Sequence, residues 1–454
     1  MRKEMKKAMA LLLTAAIGLG SVACGGKTRD TASGEEAVTI TIMQANSPDK
    51  AYFDKMGDAF TAKHPNIKVE VIAVPYDNFD SKLQTLVASG NAPDITTHVQ
   101  AMGFMDFYSK DMLLDLSPYI AESGFDYKEA GIPENVMESS MMDGKIYGIP
   151  LNTFTSVLVY NKDIFDAAGV EYPPSDYEDK SWTYDKMVEM AKKLTSGEEG
   201  NKTYGLLWNW SGTTPAQDPQ YFGSNMFNMD EENPAYAKSC NMKTTGVISA
   251  YQKMADLAFV EGISPSPAIQ QAMAGTNDSE PFLSGRIAMA IEGGWILNGL
   301  NELPFKTGVA AIPIGADENV RDVLYTDPYF VMKDSKHPKE AFEFIKFMAG
   351  KEMQEQMIKD SEGNPPASTL ALGTYYTYFE GVDRQDLENV IEGGLKYGVE
   401  NIGHTIAGAG EINNLLINEL ANINNGTAQA ADVCPEVGDK LDAVLQKTDP
   451  SFQK

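Results

Sequence analysis

Two carboxylates and a tryptophan are residue types that could bind a ligand or act on one. Glu292 and Trp295 come directly after a short apolar run, and Asp327 comes just before Pro328-Tyr329. Paired carboxylates serve as acid and nucleophile in retaining glycosidases when they lie about 5 Å apart. Nothing in the sequence brings Glu292 and Asp327 to that separation, so their chemistry depends on the elements that position them.

Three short motifs offer a second enzymatic interpretation. Ser47-Pro48-Asp49-Lys50, Ser89-Gly90-Asn91 and Lys306-Thr307-Gly308 match in order the SxxK, SxN and KTG motifs of penicillin-binding enzymes. Such short patterns recur by chance. The four histidines are scattered and neither HxxxH nor CxxC spacing occurs, so no metal-ligand cluster is evident. The sequence therefore favours a protein that is not an enzyme and that needs no metal and no cofactor.

The stretch Ser284–Trp295, which reads SGRIAMAIEGGW, is the element that must position Trp295. Its apolar run from Ile287 to Ile291 suits a strand buried on both faces of a parallel sheet. The two glycines that follow permit a sharp turn and present the tryptophan at the carboxyl end of that strand. Ligands bind at this end in open α/β sheets. The alternative is an ordinary strand followed by a core tryptophan.

Length and charge limit the classes of protein that remain. A chain of 454 residues exceeds one ordinary hydrophobic core, so two domains are expected. Its net charge of −27 argues against binding to a phosphate backbone, and no basic stripe indicates a nucleic-acid surface.

The amino terminus has the pattern of a secretion signal. Basic residues precede an apolar stretch, Ala8 to Leu19, that is too short to span a membrane comfortably. Small residues then lead into Cys24, and this end resembles the lipobox of bacterial lipoproteins. The resemblance implies a signal peptide over residues 1–23, lipidation of Cys24, and a flexible tether over 24–37. A secreted chain without lipid, with Cys24 unpaired, is the alternative.

Two further cysteines, Cys240 and Cys434, lie in the predicted folded body. A disulfide is permitted outside the cell. The sequence cannot show that the two residues meet, because pairing requires their Cα atoms to lie close together. The pairing is left open.

The first hundred residues of the folded body alternate predicted strands and helices. Val38 to Met43, Ile67 to Val74 and a third segment beginning at Pro93 predict strands, while Tyr52 to Phe60 and Phe79 to Ser89 predict helices. This alternation is typical of a parallel sheet covered by helices.

Several motifs along the chain resemble those of the extracellular solute-binding proteins of ABC importers, in the group that carries sugars. Leu83–Ile95 resembles the family's LxxxxASGxAPD signature, and Ser284–Trp295 resembles its SGKAAMxxxGxW element. The other matching segments occur in family order and are Gly148–Pro150, Tyr160–Gly169, Trp182–Asp185, Gly308–Gly315 and Ala341–Met348. Together the matches span nearly the whole chain after the predicted tether.

The resemblance implies an α/β fold of the two-lobed, type II periplasmic-binding-protein class, with a ligand cleft between the lobes. Tyr147–Thr155, Ile312–Thr326 and Gly363–Pro366 are the predicted crossing segments, the second of them rich in loop. Lobe one then comprises residues 38–151 plus 318–360, and lobe two 155–315 plus 365–454.

Sugar chemistry guides the choice of site residues. Sugars present apolar ring faces edged by hydroxyl groups, so their sites combine aromatic side chains with carboxylates, amides and backbone groups. The residues expected to bind ligand are Trp295, Trp208, Trp210, Tyr329, Asn46, Ser47, Asn78, Gln100, Asn152, Glu292 and Asp327. For each aromatic the alternative is core packing, and for each polar residue it is a turn or solvent. Asp94 is expected to be structural, and His404 to be solvated.

The sequence as a whole predicts a lipid-anchored, monomeric substrate-binding component of an ABC importer on the outer face of the cell membrane. It would bind a mono- or oligosaccharide between its lobes and deliver it to the membrane permease. A carrier of a peptide, a polyamine or another small solute is one alternative. A secreted glycoside-processing enzyme is the other.

Overall fold

The computed structural model of the protein describes residues 37–45, 49–99, 102–198, 200–208, 215–232, 235–274, 281–315, 319 and 321–449. The strands are β1 Val38–Ala45, β2 Ile67–Val74, β3 Ile95–Thr96, β4 Met141–Met142, β5 Lys145–Ile146, β6 Gly148–Asn161, β7 Leu207–Trp208, β8 Phe227–Met229, β9 Ala237–Cys240, β10 Met289–Gly293, β11 Thr307–Ala310, β12 Asp322–Val331 and β13 Gly398–Glu400. The helices are α1 Asp49–Lys63, α2 Phe79–Ala88, α3 Phe104–Ser109, α4 Ser117–Ser123, α5 Glu134–Glu138, α6 Lys162–Ala168, α7 Tyr184–Leu194, α8 Asp218–Tyr221, α9 Thr245–Phe259, α10 Pro267–Ala274, α11 Pro338–Met348, α12 Lys351–Asp360, α13 Leu372–Tyr376, α14 Arg384–Tyr397, α15 Ala409–Glu419, α16 Ala421–Asn424 and α17 Ala430–Thr448.

One mixed sheet organises the fold, with strand order β2-β1-β3-β12-β6-β10-β7. In addition, β11 pairs with β6 and β13 pairs with β12. The first three strands run parallel to one another, as their alternation with helices predicts. Strand β10 pairs parallel with β7 but antiparallel with β6. The prediction of a purely parallel environment for this strand is therefore wrong, whereas its burial on both faces is confirmed.

The first sheet strands and α1 form for the reasons that their apolar spacing predicts. Tyr52, Phe53, Met56 and Phe60 recur at helical intervals in α1, and all four are buried. Asp94 fixes the start of β3, because one carboxylate oxygen accepts bonds from the backbone and the hydroxyl of Thr41 at 2.8 and 2.9 Å. Its structural role is confirmed.

Strands β6 and β12 are the long members of the sheet and run antiparallel from Leu324 opposite Thr155 to Phe330 opposite Gly148. The predicted loop before Thr326 is wrong in part, because β12 begins at Asp322. Pro328 argues against a central strand because it lacks a backbone donor. The ladder accommodates it with a shift in register between Asp327 and Pro328.

Strand β6 joins separate hydrophobic cores. Ile149 and Leu151, near its start, pack in a core with α1 and α11. Leu158 and Tyr160, near its end, pack in another core with α7 and β10. Between them, Asn152 bridges to Pro366 and its neighbour Thr153 lies opposite Thr326, so all three predicted crossing segments meet there.

Both cysteines of the described chain are free thiols, so they do not form a disulfide with each other. Burial raises the pKa of Cys240 to about 12 and that of Cys434 to about 11. The thiols therefore stay protonated at neutral pH. In the part of the chain that the structure describes, no helix has both the length and the apolar character needed to cross a membrane.

Candidate functional site

A cavity of about 190 Å³ lies where the carboxyl ends of β1 and β3 meet the middle of β6 and β12. This is the end of parallel strands at which α/β sheets bind ligands. The lining residues are Gln44, Ala45, Tyr52, Phe53, Tyr76, Thr97, His98, Val99, Asn152, Phe154, Asp327, Tyr329, Met357 and Asn364. Three of the predicted ligand-binding residues, Asn152, Asp327 and Tyr329, are among them.

Two of these polar side chains are held in place by bonds from neighbouring elements. The hydroxyl of Tyr329 donates to the amide oxygen of Gln44 at 3.1 Å, linking β12 to β1. The amide nitrogen of Asn152 lies 3.2 Å from both the Pro365 carbonyl and the Met357 sulfur. Because each is held by a partner outside its own strand, the cavity wall is preorganised.

His98, which the sequence analysis missed, is a buried member of the lining and follows β3. Its Nε2 lies 2.6 Å from the carbonyl oxygen of Thr326, and since a carbonyl only accepts, this nitrogen carries the proton. Asp327 Oδ1 lies 3.5 Å from the same nitrogen. Burial lowers the pKa of His98, but the hydrogen bond and charge of Asp327, the charge of Glu400 and the Thr326 carbonyl outweigh burial and raise the pKa overall.

A second histidine completes a polar cluster behind the cavity. The rings of His98 and His404 lie 4.2 Å apart, and His404 Nδ1 lies 2.7 Å from Glu400 Oε1. The same Glu400 oxygen accepts a bond from the backbone of Thr326 at 3.2 Å. The side chain of His404 is only 16% exposed. The prediction that His404 is solvated is therefore wrong, because its ring packs against His98.

Trp295 lies beside the cavity and not in the core. Its ring contacts Phe154, a lining residue, at a centroid distance of 5.9 Å and Tyr325 at 4.8 Å, and the residue is 37% exposed. A Cβ atom at Gly293 would lie 2.1 Å from this ring. Glycine is thus required for the tryptophan to fold back over the end of β10, as the double glycine predicts.

Trp208 occupies a different environment. It is the last residue of β7, is 5% exposed and stacks on Phe222 at 5.3 Å. It packs in the same core as Leu158 and Trp182. The structure thus places Trp208 in the hydrophobic core, which is the alternative to ligand binding given above for each aromatic.

The remaining predicted residues are placed apart from the cavity lining or lie outside the described chain. Asn78 is exposed in the turn before α2, and its carbonyl accepts a bond from the Ser81 hydroxyl at 3.0 Å. Glu292 lies in β10 and contributes to raising the pKa of Tyr221 and Tyr325, for which burial is the larger cause. The structure does not describe Asn46, Ser47, Gln100, Trp210 or the lipidation candidate Cys24.

Three lining aromatics besides Phe154, together with His98, were missed for identifiable reasons. Tyr52 and Phe53 fit the helical period of α1, so they were counted only as core residues, although they also line the cavity. Tyr76 and His98 follow β2 and β3, so the rule that singles out residues after strands covers both. In these two turns the amides of Asn78 and Gln100 are the predicted ligand-binding groups, because amides form hydrogen bonds with sugar hydroxyl groups.

A buried hydrogen-bonded chain lies next to Trp295 and links β6 to β12. Asp322 accepts bonds from the Ser156 backbone at 2.8 Å and from the Tyr177 hydroxyl. The Ser156 hydroxyl lies 2.8 Å from that of Tyr221, which lies 3.2 Å from that of Tyr325. Burial raises the pKa of Asp322 to about 7, against hydrogen bonds that lower it.

The sheet that joins two cores and the cavity at its middle define a two-lobed α/β ligand-binding protein of the type II class. A family model described as "bacterial extracellular solute-binding protein" matches residues 44–355, which is more than half of the chain. The chain belongs to this family. The predicted family and fold class are thereby confirmed.

Solved structures of similar proteins agree over nearly the full length. An ABC substrate-binding protein of Listeria monocytogenes in complex with cycloalternan is 26% identical, with a TM-score of 0.76 over 90% of this chain and 99% of its own. A sugar transporter of Rhizobium etli in an open conformation is 24% identical, with a TM-score of 0.71 over 90% of this chain and 100% of its own. The second likeness concerns the fold alone.

Two of the curated relatives are named as oligosaccharide-binding or maltodextrin-binding proteins. The maltodextrin-binding protein of Bacillus subtilis is 24% identical over 379 residues, 81% of this chain and 82% of its own. The galactooligosaccharide-binding protein of the same species is 22% identical over 373 residues, with 81% and 82% coverage.

Proposed function

We propose that this chain is the extracellular substrate-binding component of an ABC importer and that it binds a mono- or oligosaccharide between its lobes. The observation that carries the proposal is the cavity, which joins aromatic faces with a carboxylate, an amide and a histidine. Trp295 stands beside it, in contact with Phe154, and is 37% exposed. Sugars need this combination of apolar faces and hydrogen-bonding groups. The named ligands of the relatives support the sugar class.

The proposed mechanism is binding coupled to lobe closure. Strands β6 and β12 and the segment at Pro366 are the expected hinge, with lobe one over residues 38–151 plus 318–360 and lobe two over 155–315 plus 365–454. Ligand that contacts both lobes stabilises the closed form, which then presents both lobe surfaces to the permease. No bond in the ligand is made or broken, so the protein acts as a carrier and not as an enzyme.

The cellular setting forms part of the same proposal. The chain is secreted, cut before Cys24, lipidated there and held on the outer face of the membrane as a monomer. Residues 24–37 serve as the tether. A membrane permease receives the sugar.

A thermal-shift screen of the mature chain without its lipid tests the proposal. Ligand that binds only the folded state raises the melting temperature by mass action. We expect a rise with one related set of saccharides, and recovery of the sugar at its original mass. A rise with peptides or polyamines alone would replace the sugar assignment with the other carrier class. A shortened product would favour a glycoside-processing enzyme.

A further inference from the structure

We infer that the site selects its ligand by charge: it takes neutral sugars and amino sugars and rejects sugars that carry a carboxylate or phosphate. The inference rests on the proposed function, because it concerns the same cavity. It goes further by naming the charge class of the ligand, on which the relatives' names are silent.

The composition of the lining is the first observation. Among the described lining residues there is a carboxylate, Asp327, but neither lysine nor arginine. The Asp327 side chain is 32% exposed, so it remains accessible from the cavity. An anionic ligand would therefore enter beside a like charge and find no cationic side chain in this lining to replace its lost hydration.

Two titratable lining residues lie near negatively charged side chains. The pKa of Tyr76 is raised, by burial first and then by the charges of Asp327, Asp80 and Asp77. The pKa of His98 is raised although burial lowers it, because Asp327 and Glu400 favour its charged form. These residues come from different loops, and nearby carboxylates contribute to raising the pKa of both.

The two histidines do not reverse the sign of this charge. Neutral His98 does not offset the charge of Asp327. Glu400 is bonded to His404, whose Nδ1 lies 2.7 Å from Glu400 Oε1. The Nε2 proton of His98 is already directed to the Thr326 carbonyl, at 2.6 Å. Nδ1 of His98 is buried without a hydrogen-bond partner among the described residues and is sealed from solvent. Neither nitrogen is therefore available as a cationic donor to an anionic ligand.

The chemical consequence is a graded preference. A neutral sugar binds through its ring faces and hydroxyl groups, and because it has no net charge, the charge of Asp327 changes its affinity little. A protonated amino group gains an ion pair with Asp327, and a carboxylate meets repulsion. Specificity of this kind comes as much from the rejected competitor as from the favoured ligand.

Matched sugars that differ only in charge test the inference. The probes are D-glucose, D-glucosamine and D-glucuronate, the corresponding galactose set, and oligomers of each type, titrated calorimetrically at pH 7.5. Of the glucose and galactose sets, the informative one is the set whose neutral sugar binds. In that set we expect the uronate to bind at least tenfold more weakly than the neutral sugar, and the amino sugar to bind at least as tightly as the neutral sugar.

Variants assign the effect to the cavity. Asp327→Asn is expected to reduce the ratio of the uronate's dissociation constant to that of the neutral sugar by at least threefold. Asp439→Asn removes the same charge from an exposed side chain that pairs with Lys243 on the surface. This variant should leave the ratio of the two dissociation constants unchanged. Melting temperatures of both variants verify that they are folded.

The outcomes separate this inference from the proposed function. Binding of a uronate as tightly as the neutral sugar, or equal effects of the two variants, would overturn charge selection while leaving the carrier intact. Binding of no saccharide of any charge would overturn both.

Discussion

At the scale of single residues, two tryptophans of similar sequence context have opposite environments. Trp295 packs over Gly293 with an exposed face beside the cavity, whereas Trp208 is enclosed by Phe222 and other rings. Both follow apolar strands in the sequence. Their difference arises from the sheet. Strand β10 ends at Gly293 and the chain turns at Gly294 before Trp295, whereas Trp208 is part of its strand.

The two tryptophans should therefore respond differently to truncation. Trp295→Ala is expected to weaken sugar binding by at least tenfold, because it removes an apolar face, and to lower the melting temperature less than Trp208→Ala does, because Trp295 is 37% exposed and Trp208 only 5%. Trp208→Ala is expected to destabilise the protein by about 3 to 5 kcal/mol through loss of a buried aromatic. Calorimetric titration and urea unfolding of both variants measure the contrast. Unchanged affinity in Trp295→Ala would remove this residue from the site.

Asp322 makes a distinct prediction about pH. Its folded-state pKa is raised to about 7 by burial, so its contribution to stability is fully present below the unfolded value near 3.8 and is lost as pH rises through about 7. Between these two pKa values the loss amounts to about 1.4 kcal/mol per pH unit, and it levels off above about pH 7. Asp322→Asn removes this dependence, so the wild-type minus variant difference in unfolding free energy should fall between about pH 4.5 and pH 7 and stay level at higher pH.

Urea unfolding at the two pH values measures this difference, with Asp439→Asn as a control that keeps the wild-type slope. An equal pH dependence in the wild type and Asp322→Asn would show that Asp322 does not titrate in this range.

At the scale of elements, α3 and α15 are joined by one buried carboxylate. Asp106, in α3, accepts a bond at 3.1 Å from the backbone of Gly408, the residue that precedes α15. Lys110 lies 3.3 Å from the same oxygen. Burial raises the pKa of Asp106, against opposing contributions from Lys110 and the backbone bonds. The carboxylate of one helix thus caps the amino terminus of another far away in sequence.

Removal of this cap should reduce stability. Asp106→Ala is expected to lower the free energy of unfolding by about 1 to 2 kcal/mol, the usual magnitude for the loss of a cap. Asp106→Asn keeps an oxygen acceptor and is expected to lose less. Urea denaturation at pH 7 distinguishes the two variants, and a loss in Asp106→Ala no greater than in Asp106→Asn would contradict the capping role.

Local signals identified some elements well and others poorly. The strand β2 and the helix α1 follow from residue spacing. Thr183, followed by Asp185 and by apolar residues at helical spacing, predicts the capped start of α7, and the Thr183 hydroxyl accepts a bond from the backbone of Lys186. The amphipathic stretch near the carboxyl terminus predicts one helix, but the structure divides it at Leu420 into α15 and α16. Strand β12 was obscured because Pro328 suggests a loop, and only the pairing with β6 reveals that a bulge absorbs it.

The cavity was harder to predict than the elements that form it. Position at the predicted crossing segments identified Asn152 and Tyr329, and carboxylate chemistry identified Asp327. All three lie on the paired middle of β6 and β12. Helix periodicity concealed Tyr52 and Phe53, because one face of α1 serves both the core and the cavity. The contact between His98 and His404 joins residues about 300 positions apart, so only the fold reveals it.

At the scale of the whole molecule, the account predicts that ligand changes the relative arrangement of the lobes. Saturating sugar should lower the radius of gyration in small-angle X-ray scattering, because ligand that contacts both lobes stabilises the closed form. Trp295→Ala should require more sugar for the same change. A radius that stays constant while calorimetry shows full occupancy would contradict closure as the mechanism.

The central claim is that this protein binds a saccharide and releases it unaltered. The most direct test is calorimetric titration of the mature chain with the saccharides selected by thermal shift, followed by mass spectrometry of the sugar recovered from the complex. The account predicts saturable binding of one sugar per chain, with every recovered molecule at its starting mass. Absence of binding by every saccharide, or recovery of a cleaved product, would contradict it.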